Sequence, residues 1–592
     1  MPVLRAQAAA QEAALAGQRV LKYAFQVAET GFDPAQLVDI YSRTITAHIF
    51  EGLFSYDHLA RPPRYVPLVA EGLPEVTEQF RVWTLKVRPG IFFTDDPAFK
   101  GKKRELVAED FVYSFKRFAD PVNKSPAWAT VEENRLIGLA ALRKKAVDQK
   151  KAFDYDTPVE GLRALDRYTV QFKLEESRPR FMEMLAGTDL FGAVAREVVQ
   201  LYGDRIAEHP VGTGPFKLGT WRRSSQIVLE RNPDYRERLW HAEPAADDAA
   251  GQAIAARLKG RRLPLIDRVE ISIIEESQPR WLSFLNGQAN FLERLPGDFV
   301  NVAMPGGTVA PNLAKRGITG QRVLTTDVVM TYFNMEDPVI GGYTPEKVAL
   351  RRAMSLGVDL DREIRVVRRG MGIPAQSPLI PFTTGYDPKF KSENSDYSPA
   401  RAKALLDLYG YVDKNGDGWR EMPDGSPLVL QAATQPDQVS RQLNELWQKN
   451  MNAIGLNIVF KPAKWPENLK AARAGKLQMW GVASSAAGGD GLGILERYYS
   501  PSAGQGNLAR FNLPAFDRLY EQLNLMPDGP EREALFHRAK RLAVAYAPYK
   551  LHCHRFVADM MYAGVAGYRR PAYWLEWWHM VDVEPGAAVP PV

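Results

Sequence analysis

Residues 210 to 216 read Pro210-Val211-Gly212-Thr213-Gly214-Pro215-Phe216, and Asn232-Pro233-Asp234-Tyr235 follows sixteen residues after Phe216. The first stretch, punctuated by glycine and proline, is confined to a turn that feeds a strand over 216–221. The second initiates an Asx-type turn after a strand over 227–231, because Asn-Pro and Pro-Asp favour turn entry. Two short strands joined at 222–225 and bracketed by such turns form a β-hairpin. That hairpin constrains the chain more than any other feature, because it sets a sheet within its first half.

A chain of 592 residues exceeds a single core and calls for three or four structural units. Its apolar share of 45% and charged share of 25% are those of a soluble globular protein. One cysteine, Cys553, excludes an intrachain disulfide framework. The net charge of +6 is spread over interspersed lysines, arginines and carboxylates, with no basic run of the kind that binds nucleic acid. No stretch of eighteen apolar residues is present, so no transmembrane helix is expected. The first nineteen residues lack an apolar signal core but carry Ala6, Ala8, Ala9 and Ala10. They are read as a processed or disordered remnant outside the fold.

The hairpin together with PVGTGPFKL and LERNPDY resembles the signature of the family-5 extracellular solute-binding proteins. The family's opening elements are matched by a strand over 20–27, the turn Thr30-Gly31-Phe32-Asp33-Pro34, a helix over 37–49 and Glu51-Gly52-Leu53. The hairpin at 82–94 and the helix at 107–118 match as well. The resemblance spans nearly all of 20–584. It implies an α/β fold of the two-lobed periplasmic-binding type (cluster C, type II), with a small extra subdomain in the first lobe and a two-strand hinge. The expected divisions are a first lobe built from 20–54, 203–277 and 548–592, a small subdomain at 55–202, and a second lobe at 278–547. Residues 129–161 are read as a surface excursion and 248–262 as an exposed helical insertion. The expected mechanism is closure of two lobes over a ligand, driven only as far as contacts favour the closed state.

Other motifs match chemical signatures only in part. Asp413-Lys414-Asn415-Gly416-Asp417-Gly418-Trp419 has EF-hand-like oxygens, but Asp424 stands at the twelfth position and a strand follows, so a plain turn is expected. His552-Cys553-His554 on a strand sends both histidines to one face and the thiol to the other, which cannot assemble one metal site. Gly488-Gly489-Asp490-Gly491-Leu492-Gly493 lacks phosphate-loop spacing. Hydrolase signatures are absent. No catalysis, cofactor or metal is therefore expected.

In the resemblance, the family's dipeptide anchors fall on Ala487, where an aspartate would pair with the ligand amine, and on Thr434, where an arginine would hold its carboxylate. Free dipeptides are expected to bind poorly, because a desolvated zwitterion needs counter-charges. The expected ligand residues are Thr30, Gly31, Phe32, Thr434, Gln435, Trp480, Ser484, Ser485, Ala486, Ala487, Gly488 and Asp490, with Asp490 a displaced anchor for an amine. The expected function is capture of a peptide or peptide-like solute for the permease of an ABC importer, by a periplasmic monomer that binds no nucleic acid. Alternatives are an oligosaccharide, an opine-like conjugate, haem or a metal chelate, or a hydrolase using the same cleft.

Overall fold

The computed structural model describes residues 17–585 except Val38 and Ala487, so Ala487 and most of the expected N-terminal remnant lie outside the described residues. The chain forms two compact units: Met1–Gln321 with Ala558–Val592, and Arg322–Val557. It passes between them twice, within the strand Ile318–Leu324 and within the long strand Tyr549–Tyr562.

The first unit is organised by a four-stranded sheet: β1 (Val20–Phe25), β2 (Phe216–Arg222), β3 (Gln226–Arg231) and β4 (Arg268–Ile273), in the order β1-β4-β3-β2. β1 runs parallel to β4, and the expected hairpin appears as antiparallel β2 and β3, from Phe216 opposite Arg231 to Arg222 opposite Gln226. Leu21, Ile227, Leu229, Val269 and Ile271 turn to one buried face. The helix Ile40–Ile49 contributes Ile45 and Ile49 to that face, and Asp39 caps it by accepting from the Ser42 N–H at 2.7 Å. A second sheet, Glu75–Thr77, Val82–Lys86, Thr169–Lys173 and Leu162–Ala164, packs with the helix Ala108–Ala119 around Trp83, Phe111, Phe115 and Phe172.

The signature turns out to be a brace. Gly214 N–H donates to the Ile49 carbonyl at 2.8 Å, and a Cβ on Gly212 would stand 2.1 Å from that oxygen, so no other residue fits there. Glu51 is 2% exposed and takes both halves of the motif. Its Oε2 accepts from Thr213 Oγ1 at 3.0 Å and from Arg236 Nη1 at 2.6 Å, while its Oε1 accepts from Tyr235 OH at 3.0 Å. Asn232 Nδ2 donates to the Gly214 carbonyl at 2.8 Å and closes the ring. Asp33, in the preceding turn, is equally committed: it forms a bidentate pair with Arg117 at 2.6 and 2.9 Å, with both side chains buried.

The second unit holds β5 (Asp327–Phe333), β6 (Val429–Thr434), β7 (Asn457–Pro462), β8 (Met479–Ser485) and β9 (Tyr549–Tyr562), in the order β9-β5-β8-β6-β7. One face packs Leu430, Ala432 and Met479 with helices Pro345–Gly357 and Gln438–Ala453. The other packs Met330, Tyr332, Trp480 and Val482 with Leu519 and Phe536 of helices Pro514–Leu525 and Pro530–Tyr546. Ser398 caps the helix Pro399–Leu408 as its sequence indicates.

The unit boundaries differ from the expected 278–547. Residues after Ser277 stay with the first unit because Phe291 stacks on Tyr23 at 5.6 Å and packs on Tyr568 and Trp577. Residues up to Val557 stay with the second because β9 pairs with β5, Tyr549 opposite Tyr332 and Cys553 opposite Val329. The expected surface excursion at 129–161 contains the helix Leu139–Gln149, whose Leu139, Leu142 and Ala146 enter the core. The expected helical insertion is present as Ala249–Leu258, with Leu258 buried against Trp240 and Leu263.

Candidate ligand-binding site

In the second unit the expected residues gather at the C-terminal end of β8. β8 pairs with β5 along its whole length, Asp327 opposite Ser485 to Phe333 opposite Met479. On its other side, β6 pairs with it only at Met479 and Trp480. β6 ends at Thr434, where Asp437 caps the next helix, so Gly481–Ser485 runs on with a sheet partner on one side only. Gly481, Ala483 and Ser485 are exposed on one face of this overhang, and none of the three has a side chain larger than that of serine.

The individual residues divide into those left accessible and those already committed. Ser485 is exposed, and Ser484, Ala486, Gly488 and Gln435 are half-buried. Ala486 N–H donates to the Thr326 carbonyl at 2.8 Å, which carries the overhang into the glycine turn. Thr434 is buried, with its hydroxyl on Asn444 Oδ1 at 3.1 Å and its carbonyl accepting from Asn468 Nδ2 at 2.8 Å.

Three expectations are corrected. Asp490 is no spare anchor for an amine: its carboxylate is paired with Arg532 at 2.7 Å and also accepts from Leu492 N–H at 2.8 Å. Trp480 does not offer a ring face, because it is 1% exposed within the second unit's core and packs on Trp465 at 4.7 Å. Phe32, in the first unit, is likewise fully buried, against Trp221 at 4.6 Å. Beside it, Gly31 is buried because Ala207 lies against it, and a Cβ there would stand 3.1 Å from that of Ala207. Thr30 is exposed, with its hydroxyl on Asp39 Oδ2 at 2.6 Å.

Sequence reasoning missed Arg497. It lies in a short turn, Glu496–Tyr498, and its Nη2 donates to Ser484 Oγ at 2.8 Å while its Nη1 reaches the Gly506 carbonyl at 3.4 Å. Both of those partners are neutral, so the guanidinium keeps its charge beside the overhang. The flanking Tyr498 and Tyr499 were the only local signal, and neither specifies a contact thirteen residues upstream.

The other motifs resolve structurally. Asp413, Asp417 and Glu421 bring carboxylate oxygens within 4.8 Å of one another. Those oxygens accept from the backbone N–H groups of Gly416, Gly418, Trp419 and Lys414, as a plain turn requires. His552 has both ring nitrogens engaged, Nδ1 with Glu363 at 2.7 Å and Nε2 with Thr331 Oγ1 at 2.9 Å. Despite burial, His552 and Arg368 hold the Glu363 carboxyl down at about 2. His554 Nδ1 meets the Asp327 carbonyl at 2.7 Å, and Cys553 points the other way, against Leu360 and Ile364.

Residues 64–506 match the profile of bacterial extracellular solute-binding proteins, family 5 Middle. The chain belongs to that family, whose fold is the two-lobed one of periplasmic binding proteins, and it is a binding protein and not an enzyme. It is similar to di/tripeptide-binding protein 2 of Pseudomonas aeruginosa, with 26% identity over 95% of this chain and 94% of the relative. It is similar to the periplasmic oligopeptide-binding protein OppA of Salmonella typhimurium, with 22% identity over 86% of this chain and 82% of that one. Among solved structures, the periplasmic binding protein DppA of Helicobacter pylori, in complex with the peptide STSA, shares the fold. Its TM-score is 0.68 at 21% identity, over 96% of this chain and 99% of that one. Among the described residues no helix is long and apolar enough to cross a membrane.

Proposed function

We propose that this protein captures extended peptides or peptide-like solutes in the periplasm and delivers them to an ABC importer. The observation that carries the reading is the overhang of β8. An extended chain laid along Gly481–Ser485 gains main-chain hydrogen bonds by adding a strand, and small side chains let its backbone approach. Ser484, Ser485, Gly488 and Gln435 supply neutral polar contacts, and Arg497 supplies a cation for a carboxylate or carbonyl oxygen. The likeness to peptide-binding relatives supports the same class of ligand. Thr434 and Asp490 stand behind the site and shape it.

Isothermal calorimetry with tri- to pentapeptides tests the proposal. Each backbone hydrogen bond contributes about 0.5–1.5 kcal/mol net, so N-methylation of one paired amide weakens binding by roughly 2- to 12-fold. Peptides that bind with no sensitivity to N-methylation at any position would exclude strand addition. Binding of oligosaccharides or haem in place of peptides would exclude the ligand class.

A further inference from the structure

The first unit contains a polar cavity that the candidate site does not use. About 30 Å³ inside it is open to water-sized molecules, and its wall includes Ser55, His58, Glu576, His579 and Arg238. Five buried polar atoms on that wall have no hydrogen-bond partner among the described residues: Ser55 Oγ, His58 Nδ1, Thr188 Oγ1, Glu576 Oε1 and His579 Nδ1. They come from distant parts of the sequence, and each residue is at most 9% exposed. Leaving five such atoms unpaired would cost about 1–3 kcal/mol each, which favours a bound partner.

We propose that this cavity is a hydration site for two water molecules. A buried water occupies about 10–15 Å³ on this scale, so the volume holds two. Two waters bonded to each other, each making about three to four hydrogen bonds in all, leave about four to six bonds for the protein. That range covers the five unpaired atoms on the wall. The hydrogen-bond roles agree. His58 Nε2 donates to the Gly567 carbonyl at 3.0 Å, so its Nδ1 is an acceptor. His579 Nε2 faces Arg238 Nη1 at 3.5 Å, which can only donate, so His579 Nδ1 carries the proton and is a donor. Glu576 Oε2 accepts from Leu575 N–H at 3.2 Å, leaving Oε1 for the cavity, and the Ser55 and Thr188 hydroxyls serve in either sense. A metal ion is disfavoured, because the histidine and carboxylate atoms of this wall do not form a mutually close set of three.

A high-resolution crystal structure of the full chain, with anomalous data, tests the assignment. Two density peaks are expected, in contact with each other and each about 2.7–3.2 Å from two or three of the five atoms. Ser55→Val fills the space beside the hydroxyl and is expected to remove one peak and keep the other. In solution, water relaxation dispersion on the same pair should count one long-lived internal water fewer in the variant. Should Ser55→Val fold poorly, Ser55→Ala is expected to retain both peaks, with the nearer one at reduced occupancy. The proposal is overturned by an empty cavity, by wall side chains rotated to pair with one another, by an anomalous peak marking an ion, or by density unchanged in Ser55→Val.

Discussion

If Glu51 braces both halves of the glycine-turn motif, its removal should strand three donors at once. Glu51→Leu leaves the Arg236 guanidinium, whose side chain is 13% exposed, and the buried Tyr235 hydroxyl without their acceptor. Breaking a buried ion pair from one side costs about 3–5 kcal/mol, because the surviving charge stays desolvated. Arg236→Met alone strands the Glu51 carboxylate and falls in the same range. The double variant removes both charges and leaves similar bulk, so it should be less destabilised than the sum of the two, with a coupling of about 1–3 kcal/mol. Scanning calorimetry is the assay, because a chain of two units gives no single two-state transition. A domain of 150–250 residues shifts by about 2–4 °C per kcal/mol, and the longer first unit by less, so each single variant should lower its transition by roughly 5–10 °C. Additive losses, or single variants within a degree of the parent, would refute the brace.

Three further outcomes follow from the packing and the buried titrating groups. Burial pushes His48 down to about 3 and His58 to about 4, so the folded first unit binds fewer protons than the unfolded chain below about pH 6.5. That contribution is complete above pH 6.5 and is lost as pH falls toward 4, at about 1.4 kcal/mol per pH unit for each histidine. Burial raises Glu576 from 4.5 to about 8, the opposite sense, so its stabilisation is complete below pH 4.5 and lost as pH rises to 8. In the second unit burial lowers Lys550 to about 7, and its cost diminishes as pH rises from there. Between pH 7 and 8 the first unit's calorimetric transition should therefore move down and the second unit's up, and Glu576→Gln should abolish the first shift; a shift that persists in that variant removes Glu576 as its source. Trp480→Ala should cost the second unit about 3–5 kcal/mol while peptide affinity is retained, and loss of binding at unchanged stability would contradict its burial. Gly212→Ala, which drives a Cβ into the Ile49 carbonyl, should cost the first unit several degrees of melting temperature, and a neutral result would show that the turn can move aside.

How much could be read in advance depended on the range of the interaction. The hairpin of β2 and β3 was legible to within a residue at each end, because turn chemistry and alternation act locally. The Ser398-Pro399 helix start was legible for the same reason. The helix inside the lysine-rich 139–149 was not, since three apolar positions among charges carry little periodicity. At the candidate site the neutral residues of the β8 overhang could be singled out in sequence, whereas the contacts of individual side chains could not. Asp490 looked available because its partner Arg532 lies 42 residues away, and Arg497 looked idle because its hold on Ser484 is a tertiary contact. Phe32 and Trp480 were read as ligand-facing aromatics, whereas packing within their own units decides their burial.

The brace around Glu51 bears on what a motif search retrieves. The glycines and the Asn-Pro-Asp-Tyr turn answer to an internal carboxylate and to one carbonyl of the neighbouring helix, and none of these groups belongs to the β8 overhang. A pattern built on them therefore recognises joinery. Proteins with quite different cargo can carry the same joint, and under the function proposed above the cargo is read instead by the few residues that edge a single unfinished strand.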